Sequence, residues 1–182
     1  MSNPAERLNS HMSQTFIVEP LNPAKHCREE FDCGVEALND FLRLRARKEM
    51  EAGTSACFVM VPEDEPNVIA GYYTLSAATV LRTALPESVT KKLPRYNELP
   101  ATLLGRLARD LRFKEQQIGE RLMASMLHRS VRASEEVASW AIVTDPKDEK
   151  ARAFYASFGF QPLTEYRQFI TMKSAAQWIS AR

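Results

Sequence analysis

The tightest constraint on the fold is a strand–helix–strand series near the C-terminus. Val137–Thr144 (VASWAIVT) has the apolar, β-branched character of a buried strand. Asp145 then offers an N-cap, Pro146 a first helical residue, and Gly159 a stop. Between them Ala151, Phe154, Tyr155 and Phe158 recur at helical spacing and predict an inward stripe. A further strand, Gln168–Met172, follows, and a short helix around Ala175–Ile179 closes the chain. Strands joined through packed helices predict an α/β or α+β chain with a mixed central sheet flanked by helices.

The upstream segments extend the same pattern. Thr15–Glu19 reads as a short strand ended by Pro20, and a helix is predicted over Val35–Ala52, with Leu38, Phe41, Leu42 and Arg45 on one face and Gly53 as its stop. Ala56–Val61 and Val68–Val80 form a predicted hairpin about the turn 62–67. Pro86, Pro94 and Pro100 mark Arg82–Pro100 as a surface excursion. Thr102–Asp110 is the next strand, its central Gly105 hinting at a bulge or a close backbone approach, and Ile118–Ala133 has the spacing of a helix buried through Leu122, Met123, Met126, Leu127 and Val131.

Composition limits the function. Lys and Arg number 24 against 23 Asp and Glu, and so balanced a chain is not a general nucleic-acid coat, although local basic patches remain open to it. Cys27, Cys33 and Cys57 have no framework spacing, which predicts a reducing, cytoplasmic setting. His11, His26 and His128 are scattered, so no metal site is expected. No apolar run has the roughly 18 residues of a membrane helix. Met1–Met12 is polar and aperiodic and ends in His-Met; it reads as an expression leader or a disordered arm, leaving 13–182 as a single domain.

The element order, with Phe31–Leu42 (FDCGVEALNDFL), Gly71–Val80 (GYYTLSAATV), Lys92–Tyr96 (KLPRY), Leu103–Asp110 (LLGRLARD) and Asp148–Phe160 (DEKARAFYASFGF), resembles the GNAT acetyltransferases, and within them the GNAT toxins of bacterial toxin–antitoxin pairs. The resemblance spans about Thr15 to Met172. It implies the GNAT fold, acetyl-CoA as co-substrate and acetylation of the α-amine of aminoacyl-tRNA. It also implies a ribbon-helix-helix antitoxin, operator DNA contacted through that antitoxin, and a homodimer. An aminoacyl α-amine has a pKa of about 8 or less, so an appreciable fraction is neutral and no strong general base is needed.

Tyr155 matches the tyrosine that the family places near the CoA sulfur, which implies a proton donor to the departing thiolate; helical spacing alone makes it equally a member of the inward stripe. The resemblance places acetyl-CoA against Leu107, Ala108 and Arg109, the loop Lys114, Glu115, Gln116, Gln117, Ile118, Gly119 and Glu120, and Phe158. Related toxins carry approximately Lys-Gly-Gln-Gly-Ile-Gly there, whereas this chain has lost two of the three glycines. Glu115 brings a carboxylate toward a pyrophosphate and its Cβ opposes positive φ, and Gln117 adds a second side chain. The expectation is acetyl-CoA affinity lower by on the order of two decades or more, against the alternative of a shifted loop that still binds through Leu107, Arg109, Lys114, Gln116 and Gly119.

Two basic groups complete the reading: Arg43, Arg45, Arg47 and Lys48 on one predicted helix, and Lys91, Lys92 and Arg95 in the excursion. If they converge they form a track for a tRNA acceptor stem, recognised through phosphates; otherwise each is a solvated face. The competing functions are a GNAT enzyme for a protein or small amine, and a non-catalytic toxin-like module that binds an antitoxin.

Overall fold

The computed structural model describes residues 14–182; the leader or arm expected over 1–12, and His11 within it, lie outside them. The elements run β1 (Phe16–Pro20), α1 (Glu36–Asp40), a π turn (Phe41–Arg45), α2 (Ala46–Glu51), β2 (Ala56–Pro62), β3 (Gly71–Leu81), α3 (Glu87–Thr90), β4 (Glu98–Arg109), α4 (Ile118–Glu136), β5 (Ala141–Thr144), α5 (Glu149–Ala156), β6 (Gln161–Pro162), β7 (Gln168–Thr171) and α6 (Met172–Ser180). The seven strands form one sheet in the order β1-β2-β3-β4-β5-β7-β6. Neighbouring strands pair antiparallel except β4 and β5, which are parallel. The expected mixed sheet flanked by helices is therefore present.

Each sheet face has its own core. On one, Ile118, Leu122, Met123, Met126 and Leu127 of α4 pack with Tyr73, Leu104, Tyr155, Phe158 and Ala175. On the other, Phe41, Leu42 and Ala46 of the first helix cover Val59, Tyr72 and Ala108. Further along the same face, Leu85 of the excursion joins Val80, Leu99, Ala101 and Phe169. Gly71 permits close approach of α4, because a Cβ there would sit 2.7 Å from Leu122 Cδ1 and 2.9 Å from the Ala108 carbonyl.

The bulge hinted at by Gly105 is real. Thr74 opposes Arg106 while Leu75 opposes Leu104, so Gly105 is the extra residue. It reverses the alternation of β4: Leu104 and Leu107 both pack toward α4, whereas Arg106 and Ala108 face the first helix.

Several predicted boundaries move. The first helix opens into a π turn, whose wider i→i+5 step brings Phe41 and Ala46 inward together and leaves Arg45 exposed. Arg45 keeps Phe41's side of the helix, its guanidinium 5.3 Å from that ring's centroid, but from an exposed position. The N-cap of α5 is Asp148, whose carboxylate accepts the Ala151 N–H at 2.8 Å, and not Asp145, which instead takes a bidentate contact from Arg167 at 2.7 and 2.8 Å. Two acids three residues apart competed for the cap, and the one beside Pro146 went to the ion pair. Helix α4 runs on to Glu136, so β5 begins only at Ala141; β4 starts earlier than predicted, at Glu98.

Candidate active site

The parallel pairing of β4 with β5 ends at Leu104 opposite Thr144, yet β4 continues to Arg109. On the β5 side of 105–109 the backbone thus has no strand partner, although β3 pairs with the other edge through Gly71 opposite Arg109. Half of the peptide groups in an antiparallel strand point to each side. The result is a wedge lined by main-chain donors and acceptors, the geometry an extended amide-bearing chain can pair with. Of the residues expected here, Ala108 has its side chain buried beside Tyr72, so only its backbone is available, while Leu107 is half-buried against the α4 core.

The segment after β4 is pinned at its start. Asp110, 1% exposed, accepts from the Asp32 N–H at 3.0 Å, from the Arg112 N–H at 2.8 Å, and from the Arg112 side chain at 2.9 Å. The buried carboxylate ties the loop before α1 to the end of β4. Arg109 donates to the Lys114 carbonyl at 2.8 Å. Lys114 and Glu115 are exposed and Gln116 is half-buried. Gln117 is the N-cap of α4 and has φ 54°, ψ 33°; among the described residues it is the one non-glycine with positive φ. The backbone strain expected at Glu115 falls instead on Gln117, and Glu115 contributes charge only.

No side chain caps α4, and the first hydrogen bond of the helix runs from Arg121 N to the Gln117 carbonyl. Among the described residues the N–H groups of Ile118, Gly119 and Glu120 have no acceptor. Such an open helix start suits a phosphate, so the chain retains the main-chain part of the loop. The Ile118 side chain is wholly buried and can offer only its backbone; Gly119 lies against Phe154, whose Cζ would be 3.5 Å from a Cβ. Glu120 and Phe158 instead line a cavity of about 260 Å³ between α4 and α6, with Trp178 and Arg182.

Tyr155 projects from α5 into the α4-side core, 8% exposed, with its ring 5.5 Å from Phe154 and 5.7 Å from Phe160. Burial raises the pKa of its phenol, and the Thr144 hydroxyl offsets part of the rise. Thr144 itself donates to the Leu104 carbonyl at 3.0 Å, at the point where the wedge opens. Tyr155 thus joins the inward stripe and lies beside the wedge. Cys57 and Cys33 are held as thiols: burial pushes Cys57 up to about 12 and raises Cys33 as well.

The basic residues divide sharply. Arg43 is an internal strut, donating to the Phe31 carbonyl at 2.6 Å and lying 3.7 Å from Glu36. Its half-buried guanidinium leaves the expected tRNA track. Arg47 pairs with Glu51 at 2.7 Å and Lys91 with Glu87 at 3.1 Å, both as exposed i,i+4 contacts of small energetic weight. Arg45, Lys48, Lys92 and Arg95 are exposed and have no ion-pair partner among the described residues. The helix group and the excursion lie over the same sheet face, but at opposite ends of the β3–β4 hairpin, where Tyr72 and Val80 mark their positions. Eight residues of strand separate them, roughly 26 Å. They do not merge into one patch.

Sequence reasoning missed Asp148, Asp110 and Thr144. Asp148 was readable as the acid that directly precedes Glu149 and the apolar stripe, while the Asp110 and Thr144 contacts depend on tertiary pairing. No group of three or more His, Cys, Asp and Glu side chains suited to a metal occurs among the described residues, and no helix among them is long and apolar enough to cross a membrane.

No protein-family model matches the chain. A tRNA-acetylating toxin of Mycobacterium tuberculosis (strain ATCC 25618 / H37Rv) is 31% identical over 147 residues, covering 80% of this chain and 86% of that protein. Among solved structures, a tyrosine-to-phenylalanine variant of KacT superposes with a TM-score of 0.84 at 32% identity, over 90% of this chain and 99% of that one. AtaT complexed with acetyl-methionyl-tRNA superposes at 0.83, also with 32% identity, over 90% and 98%. Further structures of the same systems hold acetyl-CoA, the C-terminus of the antitoxin AtaR, or, for KacTA, DNA.

Proposed function

Because the chain belongs to the tRNA-acetylating toxins of the GNAT acetyltransferases, we propose that its wedge, its α4 start and Tyr155 together carry acetyl transfer from acetyl-CoA to the α-amine of aminoacyl-tRNA. The observation that carries the reading is the open edge of β4 at 105–109 with a buried tyrosine beside its mouth. Acetyl-CoA supplies an activated thioester. The β4 backbone at Leu107, Ala108 and Arg109 orients it, and the N–H groups of Ile118, Gly119 and Glu120 receive its phosphates with Lys114 and Gln116 nearby.

The neutral α-amine attacks the thioester carbonyl, a C–N bond forms, the C–S bond breaks, and the thiolate leaves. Tyr155 holds its proton through neutral pH, since burial raises its pKa, and can give that proton to the sulfur. The amine nitrogen loses its extra proton to solvent, so no dedicated base is required.

Gln117 and Glu115 support a weakened cofactor loop. The left-handed backbone at Gln117 costs on the order of 1 kcal/mol relative to glycine, and the Glu115 carboxylate opposes phosphate from an exposed position. Glu120 and Phe158 border the α4–α6 cavity and are assigned to the edge of the site. Arg45, Lys48, Lys92 and Arg95 form the two rims that meet tRNA phosphates, with Arg47 and Lys91 available once their surface pairs exchange.

The toxin reading extends to a ribbon-helix-helix antitoxin, operator DNA contacted through it, a homodimer and a cytoplasmic setting. It is supported by neighbours solved with an antitoxin segment and with DNA. The test is a labelled-acetyl assay on a pool of charged tRNAs, run with this chain and with its Glu115→Gly/Gln117→Gly form. Label on the tRNA is expected, more in the double-glycine form; label on a polyamine or peptide with none on tRNA overturns the reading.

A further inference from the structure

Arg106 has no role in the scheme above, and its surroundings are unusual. The bulge at Gly105 turns it away from α4 and lays its guanidinium over the Phe41 ring, 3.7 Å from the centroid. Arg45, exposed by the π turn, approaches the same ring at 5.3 Å. Among the described residues neither has a carboxylate within 4 Å, and the Arg106 guanidinium donates no hydrogen bond. Two cations held on one aromatic ring, without a counter-charge, repel each other and favour an anion.

The position selects the kind of anion. Arg106 is half-buried on β4, next to Leu107 in the open stretch of the wedge, and projects onto the sheet face that carries the two basic groups. An A-form duplex resting on the rims presents its phosphates too broadly to descend onto a half-buried strand residue. An unpaired strand can enter. Arginine can clamp a phosphodiester through two parallel N–H donors, and the Phe41 face fixes the guanidinium plane beforehand.

We propose that Arg106, seated on Phe41 and assisted by Arg45, binds a phosphodiester of the unpaired 3′ end of the tRNA and so positions the aminoacyl α-amine at the wedge. The assignment rests on the tRNA reading of the site. Arg106 is a positioning residue, because it holds the acceptor and not the reacting atoms.

The test measures binding of an intact tRNA, and of the same tRNA trimmed of its unpaired 3′ nucleotides, to the full chain and to Arg106→Gln, Arg106→Lys and Lys48→Gln. Intact tRNA should bind the unmodified chain about ten-fold more tightly than trimmed tRNA, the worth of one charge-assisted contact. Arg106→Gln should bring that ratio close to one, Arg106→Lys should keep part of it, and Lys48→Gln should weaken both tRNAs while preserving it. Thermal midpoints close to that of the unmodified chain exclude unfolding as the cause.

A ratio that survives in Arg106→Gln, or a loss shared equally by intact and trimmed tRNA, overturns the assignment alone. Equal binding of the two tRNAs by the unmodified chain does the same, as does a loss confined to acetyl-CoA, which would give the phosphate to the co-substrate. If the unmodified chain binds neither tRNA, the functional reading fails and the assignment falls with it.

Discussion

The two parallel strands β4 and β5 each pass through a short connection into a helix on the same sheet face, and the two connections are built in opposite ways. After β5 the acids before the helix are engaged: Asp148 caps α5 through the Ala151 N–H, and Arg167 grips Asp145 with two bonds. After β4, the start of α4 is left open, with Gln117 in a left-handed conformation and no capping side chain. The difference follows from what each helix presents. Under the proposed function, helix α5 needs only to hold a phenol still, whereas the start of α4 would offer its N–H groups to a phosphate, with which a cap would compete.

The sharpest break of this contrast is at Tyr155. Tyr155→Phe keeps the ring and its packing against Phe154 and Phe160, so the thermal midpoint should move little while kcat falls by about 10²-fold or more. Wild-type turnover in a folded Tyr155→Phe protein would return the residue to the hydrophobic stripe. The pH profile is a companion measurement. The rate should climb as the α-amine deprotonates, through about pH 8. A falling limb due to Tyr155 should lie above the ordinary tyrosine range, because burial raises its pKa and the donor is lost only when the phenol ionises.

Next in size is the open connection. Gln117→Gly relieves a left-handed backbone that is already present without ligand, so its first effect should be a rise of a few degrees in Tm. Any gain in acetyl-CoA affinity comes from removing the Gln117 side chain beside the phosphates and should be about five-fold, seen by isothermal titration. Glu115→Gln, at an exposed residue whose backbone is not left-handed, should leave Tm unchanged and add less than about three-fold in affinity, a gain that should shrink with salt. Equal affinity gains from the two changes, or a larger one from Glu115, would show that charge and not side-chain bulk limits the loop.

These expectations mark where the sequence was legible. The mixed sheet, the Gly105 bulge and the apolar stripes of α4 and α5 follow from alternation and spacing that each segment carries within itself. The cap of α5 was misplaced because Pro146 after Asp145 mimics a first helical residue, although Asp148 directly precedes the helix; Arg167, just before β7, engages Asp145 instead. Arg45 shares Phe41's side of the helix as the spacing predicts, but the π turn that leaves it exposed has no local signal in Phe41–Arg45. Arg43 looked like its basic neighbours until the Phe31 carbonyl was found to occupy it. Which residue of the loop bears the strain depends on dihedral angles that spacing does not encode, and they place it at Gln117 and not at Glu115.

The smallest effect tests the closed connection. Asp148→Ala removes one N-cap hydrogen bond, worth about 1 kcal/mol of stability, or a few degrees in Tm for a chain of this length. It also frees the start of an eight-residue helix whose later turns hold Tyr155 by packing, not by the cap. Stability should therefore fall while acetyl-CoA affinity, which depends on the start of α4, stays unchanged. A matching loss of affinity in Asp148→Ala would mean that the two helix starts share one site, and the division of labour between the closed and open connections would have to be abandoned.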